Sequence, residues 1–209
     1  MKFRIHPILL PIFLFFMIVG GVSLYAMILF SLLFHEVGHI WAARQAGMNV
    51  RSCTILPYGG ELQIVNRQLA TKQQRLIVAL GGPLATAVLL LIALLSSFPG
   101  HTQLFQIQLT LLAVNLLPFL PLDGGQALSV LLESKDDKYS SRSIFMLYSI
   151  IASSALFIFL SMYLPESLPY TIVAAFLAVQ NIISYRFRKY EQVFEQITSA
   201  SRRGWDKRS

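Results

Sequence analysis

The densest chemistry in this chain lies in five consecutive residues, His35-Glu36-Val37-Gly38-His39. On a helix the two histidines are one turn apart and project from one face, a spacing at which two imidazoles grip a single zinc ion. Glu36 stands beside them, a carboxylate able to take a proton from a water held at such a site. Hydrolytic zinc needs a third protein ligand and an open position. Asp123 and Glu61 are the two candidates. Asp123 lies in the segment Asn115-Leu116-Leu117-Pro118-Phe119-Leu120-Pro121-Leu122-Asp123-Gly124-Gly125. Pro118 and Pro121 prevent an ordinary helix there, and the paired glycines allow a sharp reversal. Asp123 also occupies a helix-starting position, where a plain cap would serve. A cap alone leaves the broken chain above it unexplained, because unwound backbone at membrane depth needs protein or a water-filled cavity around it.

The elements that must position these groups are membrane spans. Hydrophobic residues make up 55% of the 209 and charged residues 13%, whereas soluble domains carry about 25% charged residues. Mean hydropathy is +0.61. Four stretches hold no Asp, Glu, Lys or Arg: Ile5–Phe34, Leu76–Leu122, Ser143–Pro165 and Ser167–Tyr185. A crossing needs about 20 apolar residues. With the first stretch extended through the helix to Ala43, and with breaks at Gly20-Gly21, around Ser96–Gly100 and at Pro165-Glu166-Ser167, the pattern predicts an all-α polytopic protein. Its six spans fall near 7–20, 22–43, 75–97, 103–119, 143–164 and 167–185. The N-terminal apolar run is too long for a signal peptide and no A-x-A site closes it.

A net charge of +7 would suit a nucleic-acid partner in a soluble protein. Here it records topology. All 17 Lys and Arg precede span 1, lie between spans 2 and 3 or 4 and 5, or follow span 6. By the positive-inside rule those segments and both termini are cytoplasmic, and no nucleic-acid partner is implied. The His-Glu-x-x-His pattern then lies roughly 8–14 Å below the cytoplasmic surface. An ionisable group at that depth is costly and marks function.

The remaining signals are weaker. Thr54-Ile55-Leu56 and Leu62-Gln63-Ile64-Val65 flank Gly59-Gly60, which predicts a hairpin turning on the glycines, with Glu61 a solvated turn residue. Gly81-Gly82-Pro83 fits close packing of span 3 against span 2. Cys53 is the only cysteine and excludes an intrachain disulfide. His6 is read as interfacial and His101 as solvated. Phe187, Tyr190, Phe194 and Ile197 recur at helical spacing after span 6, as an interfacial anchor would.

His35–His39 together with Asn115–Gly125 resembles the site-2 protease family of intramembrane zinc metalloproteases. Leu56-Pro57-Tyr58-Gly59-Gly60 and Gly81-Gly82-Pro83-Leu84 are similar to two further landmarks of that family. The six-span layout and the Ile5-His6-Pro7 opening look closest to the branch that processes a sigma-factor precursor during bacterial endospore formation. The resemblance implies one Zn2+ per chain held by His35, His39 and Asp123, with Glu36 as the base and Asn115 positioning substrate or the oxyanion. It also implies a re-entrant sheet between spans 2 and 3, whose loop at Tyr58, Gly59 and Gly60 would pair with an extended substrate.

The expected organisation is a six-span metalloprotease domain over 1–185 and a short cytoplasmic juxtamembrane tail over 186–209. That tail is too short for the nucleotide-sensing CBS domain often found in the branch. The expected function is an intramembrane zinc endopeptidase of the bacterial cell membrane, cutting a membrane-associated substrate near the cytoplasmic face. In the sporulation branch the substrate is a pro-sigma factor, the membrane is that of the mother cell around the forespore, and inhibitory membrane partners restrain the enzyme. The alternative is a zinc transporter using the same ligands. It would need polar residues continuing across the bilayer, and beyond Asn115 and Gln180-Asn181 there are few.

Overall fold

The structure is a computed structural model that describes residues 2–5, 11, 14, 17–18, 21–56, 59–64, 70–133, 138–168 and 170–187. Most of the expected first span (7–20), His6, Tyr58 and the expected interfacial helix beyond Phe187 lie outside the described residues. The chain divides into two compact units, Met1–Leu117 and Pro118–Ser209.

In the first unit, strand β1 (Lys2–Ile5) precedes helix α1 (Val22–Gln45), strands β2 (Val50–Leu56) and β3 (Gly59–Ile64), and helices α2 (Lys72–Leu95) and α3 (His101–Asn115). Helix α1 carries the His-Glu-x-x-His residues in its last three turns. It stops at Gly47, whose φ of 72° suits a residue without a side chain. There Gly47 N–H donates to the Arg44 carbonyl and Met48 N–H to that of Ala43, the paired bonds of a Schellman end. Met48, Ala43 and Val78 form the small apolar cluster that accompanies it. Helix α2 begins with a reciprocal capping box between Thr71 and Gln74, and Gln74 Nε2 donates to the Ala46 carbonyl at 2.8 Å. One side chain thus ties the end of α1 to the start of α2.

The two helices approach closely because glycines face each other. A Cβ on Gly38 would meet the Gly81 carbonyl and the Ala85 side chain, and one on Gly81 would meet Ala42 and the Gly38 carbonyl. The expected close packing through Gly81-Gly82 is what the helices do. Helix α3 is held to α1 by polar side chains. Ser31 Oγ donates to the Met27 carbonyl at 2.7 Å and accepts from Gln108 Nε2 at 2.6 Å, with Gln108 fully buried.

The sheet corrects the sequence reading in two ways. Gly59 pairs with Leu56 and Gly60 with Ile55, so the glycines open β3 and do not form the turn. Glu61 is likewise a strand residue, opposite Thr54. The hairpin is also part of a three-stranded sheet in the order β1-β2-β3, with Lys2–Ile5 parallel to Ser52–Ile55. The sequence reading assigned Lys2 and Arg4 to topology alone.

In the second unit an irregular segment from Pro118 leads into helix α4 (Asp123–Leu131), followed by α5 (Lys138–Ser161) and α6 (residues 170–187). Here α5 buries Phe145, Met146, Ser149 and Ser153, and α6 buries Thr171, Ala174, Leu177, Ala178 and Asn181. Three helices among the described residues are long and apolar enough to cross a membrane: Val22–Gln45, Lys72–Leu95 and Ser141–Ser161. They match expected spans 2, 3 and 5. Their outward residues are apolar, as with Leu84, Val88, Leu91 and Leu95 on α2 and Ile144, Ile151 and Ile158 on α5. The fully buried positions include Thr86, Gln108, Ser149 and Ser153. Apolar outside and polar inside is the pattern that lipid selects.

Candidate metal centre

His35, Glu36 and His39 are all buried on α1. Helical spacing brings the two imidazoles to a centroid separation of 4.8 Å, nearly edge-on at 79°. Their outer nitrogens are set by α2. His39 Nδ1 is 2.7 Å from the Val78 carbonyl oxygen. A carbonyl only accepts, so this contact needs the proton on Nδ1 and leaves Nε2 its lone pair. The Gly82 N–H also faces Nδ1, at the longer distance of 3.3 Å, and the 2.7 Å contact prevails over it. His35 Nδ1 is 2.8 Å from Thr86 Oγ1, which can accept in the same way. The two Nε2 atoms then converge at 3.1 Å. Facing lone pairs repel unless a cation lies between them. The separation is also close to the roughly 3.3 Å that two imidazole nitrogens keep around a tetrahedral zinc with bonds of about 2.0–2.1 Å.

The space in front of those nitrogens is kept open by Gly82. A Cβ there would run into both His35 Nε2 and His39 Nε2. The residues on α1 and α2 therefore fit a metal in donor type, tautomer and room. Thr86, Gly82 and the Val78 carbonyl fix that fit, and the sequence reading gave none of them this role. Thr86 carries a signal, being the only hydroxyl between Leu76 and Leu95.

Asp123 is the first residue of α4 and is buried. Leu122 occupies the N-cap, so Asp123 is the first residue inside the helix, in the turn where a carboxylate also suits the helix N-terminus. Several backbone groups of the segment before it have hydrogen-bond partners. Leu122 N–H donates to the Phe119 carbonyl at 3.0 Å, Leu120 N–H to Ser149 Oγ at 3.2 Å, and Gln126 Nε2 to the Pro121 carbonyl at 2.8 Å. Asn181 Nδ2 donates to the Leu120 carbonyl. The prolines have no N–H to satisfy.

Asn115 is the last residue of α3, half-buried, with Nδ2 donating to the Leu111 carbonyl one turn back at 3.0 Å. Gly59 and Gly60 lie in β3, an edge strand of the sheet.

Residues 23–102 match Peptidase family M50. Stage IV sporulation protein FB of Bacillus subtilis is 27% identical over 199 residues, covering 92% of this chain and 69% of that protein. A zinc metalloprotease of Methanocaldococcus jannaschii is 29% identical over 127 residues, covering 54% of this chain and 37% of its own length. Among solved structures, the site-2 protease from Methanocaldococcus jannaschii has the same fold, with a TM-score of 0.65 and 24% identity over 88% of this chain and 90% of that one. The matches bear out the family resemblance, and the family match spans His35–His39.

Proposed function

Taking the chain as a zinc metalloendopeptidase of the site-2 protease type, we propose that it hydrolyses a peptide bond in a membrane-associated protein near the cytoplasmic face. The observation that carries this reading is the convergence of two oriented imidazole nitrogens inside an apolar helix, beside a buried carboxylate. When bound, the metal supplies Lewis acidity, polarising the scissile carbonyl and lowering the pKa of a water. His35 and His39 would hold it through Nε2, and the family resemblance assigns Asp123 as the third ligand. Glu36 accepts the proton of the attacking water and returns it to the leaving amine. Val78 and Thr86 keep the imidazoles in the tautomer that binds metal.

A transmembrane substrate hides its carbonyls in helical hydrogen bonds, so it must be extended before attack. The outer edge of β3, beginning at Gly59 and Gly60, would accept such a strand by backbone pairing, and Tyr58 precedes it in sequence. Asn115, at the mouth of the broken segment, would hydrogen-bond the displaced substrate backbone. By the positive-inside rule, both termini and the sheet are cytoplasmic. The similarity to a Bacillus sporulation protein over most of this chain favours release of a pro-sigma factor during sporulation, in the mother-cell membrane around the forespore and under inhibitory membrane partners.

The test is co-expression with candidate membrane-tethered transcription-factor precursors, comparing wild type with Glu36→Gln. Loss of the base should lower product formation by about 10²–10⁴-fold while zinc stays bound. Cleavage at the wild-type rate by Glu36→Gln would remove the mechanism.

A further inference from the structure

The Leu120 peptide is held on both sides by side chains far away in sequence. Its N–H donates to Ser149 Oγ on α5, and its carbonyl accepts from Asn181 Nδ2 on α6. Ser149 and Asn181 are both buried, at 0% and 2% exposure. The second Nδ2 hydrogen of Asn181 goes to the Leu177 carbonyl at 2.9 Å. With two carbonyls as partners, the amide can be oriented in only one way. A third constraint comes from Gly125, where a Cβ would collide with the backbone of Phe119 and Leu120. The first turn of α4 therefore lies directly against the clamped peptide. Asp123 sits between these fixed points, three residues after Leu120 and two before Gly125.

We propose that Ser149 and Asn181 are positioning residues for Asp123, acting through the Leu120 peptide to fix where its carboxylate is presented. The proposal rests on the reading of Asp123 as a metal ligand. Helical periodicity cannot place a ligand in a segment broken by Pro118 and Pro121, so hydrogen bonds to the backbone must do so. Neither side chain touches the reacting atoms. Their effect is on metal affinity and on the symmetry of the ligand field.

The experiment uses the full chain in detergent and measures zinc affinity by chelator competition, together with the visible spectrum after cobalt substitution. Ser149→Ala and Asn181→Leu should each weaken zinc by about 10–100-fold, as loss of groups that orient ligands does, and should shift the cobalt bands. Thr171→Val serves as the control, because the partners of Thr171 Oγ1 are the carbonyl and hydroxyl of Ser167 in the turn before α6, and not the Leu120 peptide. It should leave both readouts at wild-type values. Wild-type affinity and spectrum in both Ser149→Ala and Asn181→Leu, even with lowered thermal stability, would overturn the proposal and leave the two residues structural. Should Asn181→Leu not fold, Ser149→Ala decides alone, since it removes one oxygen from a packed helix. Asp123→Asn separates the two levels. If it loses zinc while the clamp variants keep it, only the positioning role fails. If it binds zinc as wild type does, the ligand assignment fails and the proposal with it.

Discussion

Two stretches of this molecule each present a group expected at the metal, and they do it by opposite means. On α1, regular helix geometry aligns His35 and His39, and the neighbouring α2 needs only a carbonyl, a hydroxyl and a bare glycine to orient them. Around Pro118–Asp123 there is no periodic scaffold, and the backbone is held by Ser149, Asn181 and Gln126 instead. Repetition gives a cheap and sturdy way to pair like ligands. A lone side chain in a broken segment depends on single hydrogen bonds, each with its own donor to lose.

The sharpest way to break the periodic side is to fill the space it keeps open. Gly82→Ala should displace both imidazoles, which are anchored at Nδ1, and cut zinc occupancy and proteolysis by about 100-fold or more. Metal analysis of the purified protein reads this directly. Near-stoichiometric zinc in that variant would mean that α1 and α2 separate easily, and the contrast in sturdiness would go. A smaller effect is expected from Thr86→Val, which keeps the shape and removes the partner of His35 Nδ1. Zinc affinity should fall about 10-fold, comparable to losing one clamp of the irregular segment. Smallest is Gly47→Ala, which forces a side chain into a left-handed conformation at the end of α1. It should cost about 1 kcal/mol of stability in thermal unfolding and leave zinc affinity unchanged. A loss of metal there would show that the helix end, and not only its interior, sets the histidines.

The same contrast explains what the sequence made legible. His35 and His39 could be read because one turn of helix is a local rule, and Gly81-Gly82 because paired glycines in an apolar helix have few other uses. The spans represented by α1, α2 and α5 were legible from apolar runs alone. The strand pattern shows the hairpin but points to Gly59-Gly60 for its turn, because glycines suit both tight turns and close approaches along a strand. Lys2–Ile5 could not be seen as a strand, since parallel pairing with Ser52–Ile55 spans some fifty residues and leaves no local pattern. Ser149 and Asn181 were invisible as a pair for the same reason. Each is an ordinary small polar residue until Leu120 is placed between them. Asp123 was legible as a candidate only through the prolines before it and the glycines after it.

The Ser31–Gln108 contact has a mechanical consequence. Gln108 Nε2 bonds to Ser31 Oγ, which is itself bonded to its own helix. Sliding α3 along α1 by one helical turn, about 5.4 Å, would carry a fully buried amide away from its acceptor into an apolar interior, at a cost of several kcal/mol. Sliding of α3 along α1 is therefore resisted by the loss of this bond. The contact behaves as a detent, with one engaged setting and a gap to the next.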